Sequence, residues 1–167
     1  AGFDMVFLGL ETRNPNALQK ISKRQNIKEG NPYYLYESVR KIQRYGMEVS
    51  AGFILGLDGD DQNCFDAVAE FIKRSGIPVA MVGLLTPLRG TKLYEQYRQQ
   101  GRILRESKGN NVSIELTFVP EISPELLISG YKKVISSLYD KTLYNYFDRC
   151  YTLLQNWSQR RRCVRRP

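Results

Sequence analysis

Residues 52–59, Gly-Phe-Ile-Leu-Gly-Leu-Asp-Gly, follow a G-x-I-x-G-x-x-G pattern at the end of an apolar run. Glycine inside a strand weakens it and marks a place where a ligand or another backbone comes close. Alternation of side chains would put Ser50, Gly52, Ile54 and Gly56 on one face. An isoleucine between two glycines is a flat apolar bump in an open slot, suited to a planar base. Gly59 would supply positive φ at the turn into the next helix. Tight helix–sheet packing without a ligand explains the same pattern, and both readings stand at this point. A dinucleotide fingerprint fits poorly, because the glycine spacing differs. Glu11 follows an earlier apolar run, where a carboxylate can accept two hydrogen bonds from ribose hydroxyls. Taken alone, it reads better as a solvated loop acid. Asp58, Asp60 and Asp61 offer oxygens to a metal, but capping and solvation explain them better, with Asp60 or Asp61 as the helix cap.

The chain contains no histidine. That removes common zinc sites, Ser-His-Asp triads and Cys-His dyads. The three cysteines, Cys64, Cys150 and Cys163, are widely spaced and form no disulfide framework, which suits a reducing cytosol. Chemistry must therefore come from carboxylates, lysine, tyrosine, a cofactor, or residues outside this chain.

The elements that would position these residues alternate. Asp4–Leu10 is apolar on both faces, as in a parallel strand covered on both sides. Asn16–Ser22 has room for one or two helical turns, and Lys23–Pro32 reads as a loop. Tyr33–Tyr45 is a helix with Leu35, Val39 and Ile42 on one face and Gly46 as its C′ glycine. Glu48–Leu57 is a second strand. The next helix carries Phe65, Val68 and Ile72 inward and closes at Gly76. Pro78–Leu85 is a third strand, and Lys92–Gln100 a third helix. This βα-βα-βα order calls for a parallel sheet of three βα units, too few to close a barrel.

Beyond residue 104 the texture changes. Asn110–Pro120 alternates loosely and reads as extended. Ser123-Pro124 is a helix start, followed by a stripe of Leu127, Tyr131, Val134 and Leu138. A last helix from Asp140 carries Leu143, Phe147, Cys150, Leu154 and Trp157 at heptad-like spacing, read as core. The net charge is +8, but residues 158–167 hold five arginines and no acid, and without them 20 basic residues face 17 acidic ones. Such a tail suits nucleic acid or anionic lipid. A disordered solubilising or artificial extension is the plainer reading, because no aromatic residues interleave for base stacking. No apolar run is long enough to span a membrane.

Phe-Leu-Gly-Leu-Glu-Thr (7–12), the Gly52–Gly59 pattern, and Leu-Leu-Thr-Pro-Leu-Arg-Gly-Thr-Lys-Leu-Tyr (84–94) together resemble the fourth to sixth strands of the radical SAM barrel. Ser38-Val-Arg-Lys-Ile-Gln-Arg-Tyr-Gly46 matches as well. The likeness is greatest to the branch that carries a cobalamin-binding domain ahead of the barrel, which includes methyltransferase-like enzymes acting on lipids or other unactivated carbons. The resemblance implies an α/β fold: a partial TIM-like barrel over residues 1–104, a helical extension over 105–157 and an Arg-rich tail over 158–167.

It also implies roles. Ile54, with Gly52, Gly56 and Gly59, would lie against the adenine of S-adenosylmethionine (SAM). Glu11 would face the ribose, and the backbone near Leu85 and Thr86 the adenine edge. The family cleaves SAM reductively with a [4Fe–4S] cluster to a 5′-deoxyadenosyl radical, or directs the chemistry to cobalamin for methyl transfer. Its cluster is held by Cys-x3-Cys-x2-Cys, which this chain lacks, and no metal ligand or catalytic residue is assigned here. The expectation is a fragment of a longer enzyme, opening abruptly at Ala-Gly-Phe-Asp. It would be inactive alone and hold no cofactor stably. Its partners would be the N-terminal half of the same protein, a small-molecule or lipid substrate, and further copies pairing at open sheet edges. The rival reading is a non-catalytic nucleic-acid-binding domain that uses the arginine tail.

Overall fold

A computed structural model of the chain describes residues 2–110 and 113–158. The arginine-rich segment beyond residue 158, with Cys163, lies outside the described residues, as do residues 111 and 112 of the stretch read as extended.

Three strands, β1 (Met5–Glu11), β2 (Glu48–Leu55) and β3 (Ala80–Leu84), form a parallel sheet in the order β1-β2-β3. Between β1 and β2 lie α1 (Pro15–Lys20), a 3-10 turn (Arg24–Asn26) inside the expected loop, and α2 (Tyr34–Arg44). The helix α3 (Cys64–Ser75) links β2 to β3, and α4 (Lys92–Gln99) follows β3. Two longer helices end the described chain, α5 (Pro124–Leu138) and α6 (Tyr144–Ser158). The stretch before α5 forms an isolated antiparallel bridge, Ile103 to Phe118.

The terminal signals act as their chemistry predicts. Ser123 accepts a hydrogen bond from the Leu126 N–H, with Pro124 at the first helical position. Gly76 ends α3 at φ 61°. Asp60 is not a helix cap. Its carboxylate turns back to the N–H groups of Gly56 and Leu57 just past β2; Asp61 is not the cap either, but accepts from the N–H of Asn63, the residue at the cap position of α3.

Among the described residues the main core covers one face of the sheet, and the other, expected to be covered as well, is largely open beyond Ser50 and Ile54. Val49, Ala51, Phe53 and Leu55 of β2 pack with Leu10, Ala80, Val82 and Leu84 against Leu35 and Val39 of α2, Phe65, Val68 and Ile72 of α3, and Leu127, Val134 and Leu138 of α5. The odd-numbered positions of β2 thus build the core, and the even-numbered ones face away from it. On that other face Met5, Phe7 and Met81 are more than half exposed.

The outer helices also depart from the sequence pattern. The expected stripe splits: Phe147 and Leu154 of α6 are exposed, as is Leu143 just before it, Cys150 and Trp157 are half-buried, and Arg149, Leu153 and Asn156 are buried. Polar chemistry sets this rotation. Arg149, fully buried, donates to the carbonyls of Ile77, Pro78, Leu138 and Asn145 at 2.8–3.1 Å. Those bonds satisfy backbone groups that end β3's approach and α5. Asn156 donates to Gln43 at 2.7 Å, and Gln43 in turn donates to the carbonyls of Ser75 and Gly76. Gln43 joins Leu35 and Val39 on the buried face of α2, and Ile42 packs half-buried against the core as expected. At the outer edge of β3, the Tyr139 hydroxyl both donates to the Ala80 carbonyl and accepts from its N–H. One set of free edge groups is blocked there.

Candidate functional site

The open face of the sheet is built from small residues. Gly9 of β1 pairs with Gly52 of β2, and Gly52 with Met81 of β3; one step on, Ile54 pairs with Gly83. Gly52 and Ile54 therefore share one face with glycines beside them, as the alternation requires. The Phe7 ring lies over Gly52: a Cβ there would meet its tip at 3.3 Å, closer than ordinary van der Waals contact, although the ring itself is more than half exposed.

Glu11 stands at the rim of this face in a strained backbone. The β1–β2 register breaks between Gly9 and Glu11, and Glu11 has φ 64°. The Thr12 N–H closes onto the Leu10 carbonyl at 2.9 Å, so Glu11 is the centre of a three-residue γ-turn of the rare positive-φ hand. The turn swings the carboxylate back over Gly9, where a Cβ would lie 2.8 Å from its Oε1. Lys23 reaches the same oxygen at 3.0 Å. Strain of this kind costs on the order of 1–3 kcal/mol and persists where surrounding contacts enforce it.

Those contacts bind the three rims together. Asn14 caps α1 and donates through Nδ2 to the Gly59 carbonyl, joining the loop after β1 to the turn after β2. The Leu85 N–H donates to the Leu55 carbonyl, joining β2 to the loop after β3. Inside the second turn, Asp60 accepts from the N–H groups of Gly56 and Leu57 at 3.1 and 3.0 Å. Burial pushes the Asp60 carboxyl up to about 6, against the pull of those two N–H groups. Beyond it, Asp58 and Arg102 form a two-pronged ion pair at 2.8 Å, with the guanidinium 4.1 Å from the Tyr97 ring centre. Burial pushes the Asp58 carboxyl up, but hydrogen bonds from Arg102 and Tyr97 outweigh it and hold it below its ordinary value. Asp58 is thereby a structural clamp.

Of the residues singled out from sequence, Glu11, Gly52 and Ile54 gather on the open face. Gly56 does not: it lies past the strand end at φ 88°, and a Cβ there would strike Leu127 of α5 at 2.7 Å. It serves helix packing. Gly59 adopts φ 94° as expected, but its N–H donates to Glu121 at 2.8 Å. Leu85 buries its side chain in a second apolar cluster with Ala17, Leu57, Tyr97 and Phe118, and Ile54 packs against the rim of that cluster. Thr86 lines a polar cavity of about 240 Å³ with Arg105, Ser107, Lys108 and Glu115. Lys23, Gly9 and Asp60's tether were not read from sequence. Lys23 sits twelve residues from Glu11 in a polar loop, where nothing local marks it. The Asn14-Pro15 pair did carry a helix-start signal.

Among the described residues, no three His, Cys, Asp or Glu side chains gather to hold a metal. Cys64 is buried on α3, and burial, with Asp60 and Asp61 nearby, pushes its thiol up to about 12. A thiol so resistant to ionisation does not fit a cluster ligand.

Residues 91–166 match the family model of DUF4070, a domain of unknown function. That match takes in α4, α5, α6 and the arginines to Arg166. Over 150 residues, 89% of the chain, it is 35% identical to an uncharacterized methyltransferase of Synechocystis sp.. Over 156 residues, 86% of the chain, it is 31% identical to the hopanoid C-2 methylase of Rhodopseudomonas palustris. A bacteriochlorophyllide d C-12(1)-methyltransferase of Chlorobaculum tepidum is 28% identical over 103 residues, which is 61% of the chain and 22% of that protein. The chain spans 27% and 29% of the length of the first two relatives. It is a relative of proteins named as methyltransferases.

Proposed function

We propose that this chain forms one wall of a SAM pocket in a radical SAM enzyme of the methyltransferase-like kind, as a part of a longer polypeptide. The observation that carries the reading is the joint placement of Glu11, Gly52 and Ile54 on the glycine-lined open face, at the carboxyl ends of parallel strands, where α/β folds bind ligands. The names of the relatives support methyl transfer.

In this reading Ile54 and the flat Gly9–Gly52 surface receive the adenine, and the Leu85–Thr86 backbone meets its edge. The Glu11 carboxylate accepts from the ribose hydroxyls, held over the slot by its γ-turn. When bound, SAM supplies the activated methyl or adenosyl group. The chain's own part is to orient the nucleoside and exclude water from one side. The [4Fe–4S] cluster has no fitting ligands among the described residues, so its thiolates belong to another part of the polypeptide, as would any cobalamin-binding segment. Alone, the chain is inactive.

The test uses the polypeptide that carries this chain in its natural context, reconstituted anaerobically with iron and sulfide. Glu11→Gln and Gly52→Val should each weaken SAM binding at least tenfold. Unchanged SAM affinity in both variants, or a coding sequence ahead of Ala1 without Cys-x3-Cys-x2-Cys, would sink the reading.

A further inference from the structure

The helix α6 has two opposed faces, and its outer one has no partner among the described residues. Arg149, Leu153 and Asn156 anchor the inner face. Phe147, Tyr151 and Leu154 recur at i, i+4 and i+7 on the outer face, with Tyr144 one turn before them, and they are 55–71% exposed. The stripe bears no charge, although Asp148 stands at its margin. It cannot turn inward, because Arg149 is tied to four carbonyls. A rigid apolar and aromatic stripe on the solvent side of a helix marks an interaction surface.

The chemistry that follows this stripe in the sequence identifies its partner. Directly after α6 the sequence runs Gln-Arg-Arg-Arg-Cys-Val-Arg-Arg, five arginines and no acid. The DUF4070 match extends through Arg166, so this basic run lies within the matched region. At its C-terminal turns α6 lies beside α2, through Asn156 with Gln43 and Arg40, and α2 adds exposed Lys41 and Arg44. An uncharged aromatic stripe followed in the sequence by concentrated positive charge is complementary to an anionic lipid surface: rings and leucine would enter the headgroup boundary, and arginines would meet the phosphates. Single-stranded nucleic acid would want aromatics among the arginines, and the stripe lacks such cations. No described helix is long and apolar enough to cross a membrane, so contact would be peripheral. We infer that the outer face of α6, together with the arginine run after it, docks this domain on an anionic membrane surface. The inference does not depend on the SAM reading, and its measurement involves no methyl chemistry.

The 167-residue chain is mixed with vesicles of phosphatidylcholine alone, or of phosphatidylcholine with about one-third phosphatidylserine. Co-sedimentation should appear only with the anionic vesicles and fade with added salt. Replacing the five arginines by glutamine should weaken it at least about 100-fold. Phe147→Glu, Tyr151→Glu and Leu154→Glu together should weaken it at least about tenfold, with the far-ultraviolet spectrum unchanged because these positions are exposed. A gentler probe places tryptophan on the stripe, Phe147→Trp in a Trp157→Phe background. Its emission should shift to the blue on anionic vesicles and be quenched by brominated lipid. Four results would overturn the inference: no sedimentation of the wild type, stripe glutamates without effect, no shift from the tryptophan, or a dimer that the stripe glutamates split in a chain that ignores vesicles. Binding to RNA that needs the arginines but not the stripe, with vesicles ignored, would overturn it in favour of nucleic acid.

Discussion

The two faces of one three-stranded sheet use the same strands for opposite ends. Toward the helices, β2 presents Val49, Ala51, Phe53 and Leu55, all nearly inaccessible. Toward the open side the same strand presents Ser50, Gly52 and Ile54, with Gly9 and Gly83 as neighbours. Large side chains that interdigitate build stability; missing side chains leave room and contribute none. The backbone follows the same division. On the covered side α3 closes at Gly76 and α5 opens on the Ser123 cap, whereas the rim of the open side holds Glu11 at φ 64°. At Glu11 strain meets the open face, which is where function is expected.

Truncating the covered face should have the largest effect on folding. Phe53 is buried to 2% exposure and meets the Phe71 ring edge-on at 6.0 Å. Phe53→Ala is expected to lower stability by about 3–5 kcal/mol in urea unfolding. A loss below about 1 kcal/mol would mean that the covered face is not the stabilising one.

Second in size is the Asp60 tether beneath the rim. Folding raises its carboxyl from 3.8 to about 6. A group raised on folding favours the folded state while protonated, so its contribution is complete below pH 3.8 and is lost as pH climbs through about 6. The wild type should lose about 3 kcal/mol across that window relative to Asp60→Asn, whose amide does not titrate. Unfolding curves of both proteins between pH 4 and 7 read the difference directly. Parallel curves would show that Asp60 is solvated and the turn held otherwise.

How far the sequence carried the fold follows from what each signal encodes. Apolar runs and glycine or proline stops record burial along one strand or helix, and so β1, β2, α2, α3 and α5 were legible nearly to the residue. The hand of α6 was not. Its apolar stripe is stronger than its buried one, and only the three-dimensional demand of the Ile77, Pro78 and Leu138 carbonyls for Arg149 decides which side turns in. Gln43 was missed for the same reason: its partners are carbonyls 32 and 33 residues away. At the candidate site, strand alternation sufficed for Gly52 and Ile54. It failed at Gly56, because the chain leaves the strand before that residue and alternation no longer applies. Glu11 was found by type and place, whereas its γ-turn and its pairing with Lys23 depend on a register break that no local pattern records.

A smaller effect separates strain from charge at Glu11. Glu11→Ala keeps the unfavourable φ and loses the Lys23 pair, while Glu11→Gly loses the pair and relieves the backbone. The glycine variant should be the more stable of the two by about 1 kcal/mol. Both should bind SAM less well in the longer polypeptide. Equal stabilities would mean that the γ-turn is not strained, and the link between strain and the open face would lapse.

The smallest effect on folding is expected at Gly52, and it bears most directly on the contrast between the faces. A methyl there meets only the tip of the Phe7 ring, a ring more than half exposed and free to swing. Alanine also restores the strand preference that glycine lacks, so Gly52→Ala should raise stability by about 0.5 kcal/mol. If the open face exists to receive a planar ligand, the same methyl should stand in the slot and weaken SAM binding several-fold. Stability and affinity would then move in opposite directions from a single carbon. A variant that loses more than about 1 kcal/mol would instead place Gly52 among packing glycines such as Gly56, and leave Glu11 and Ile54 alone to account for the site.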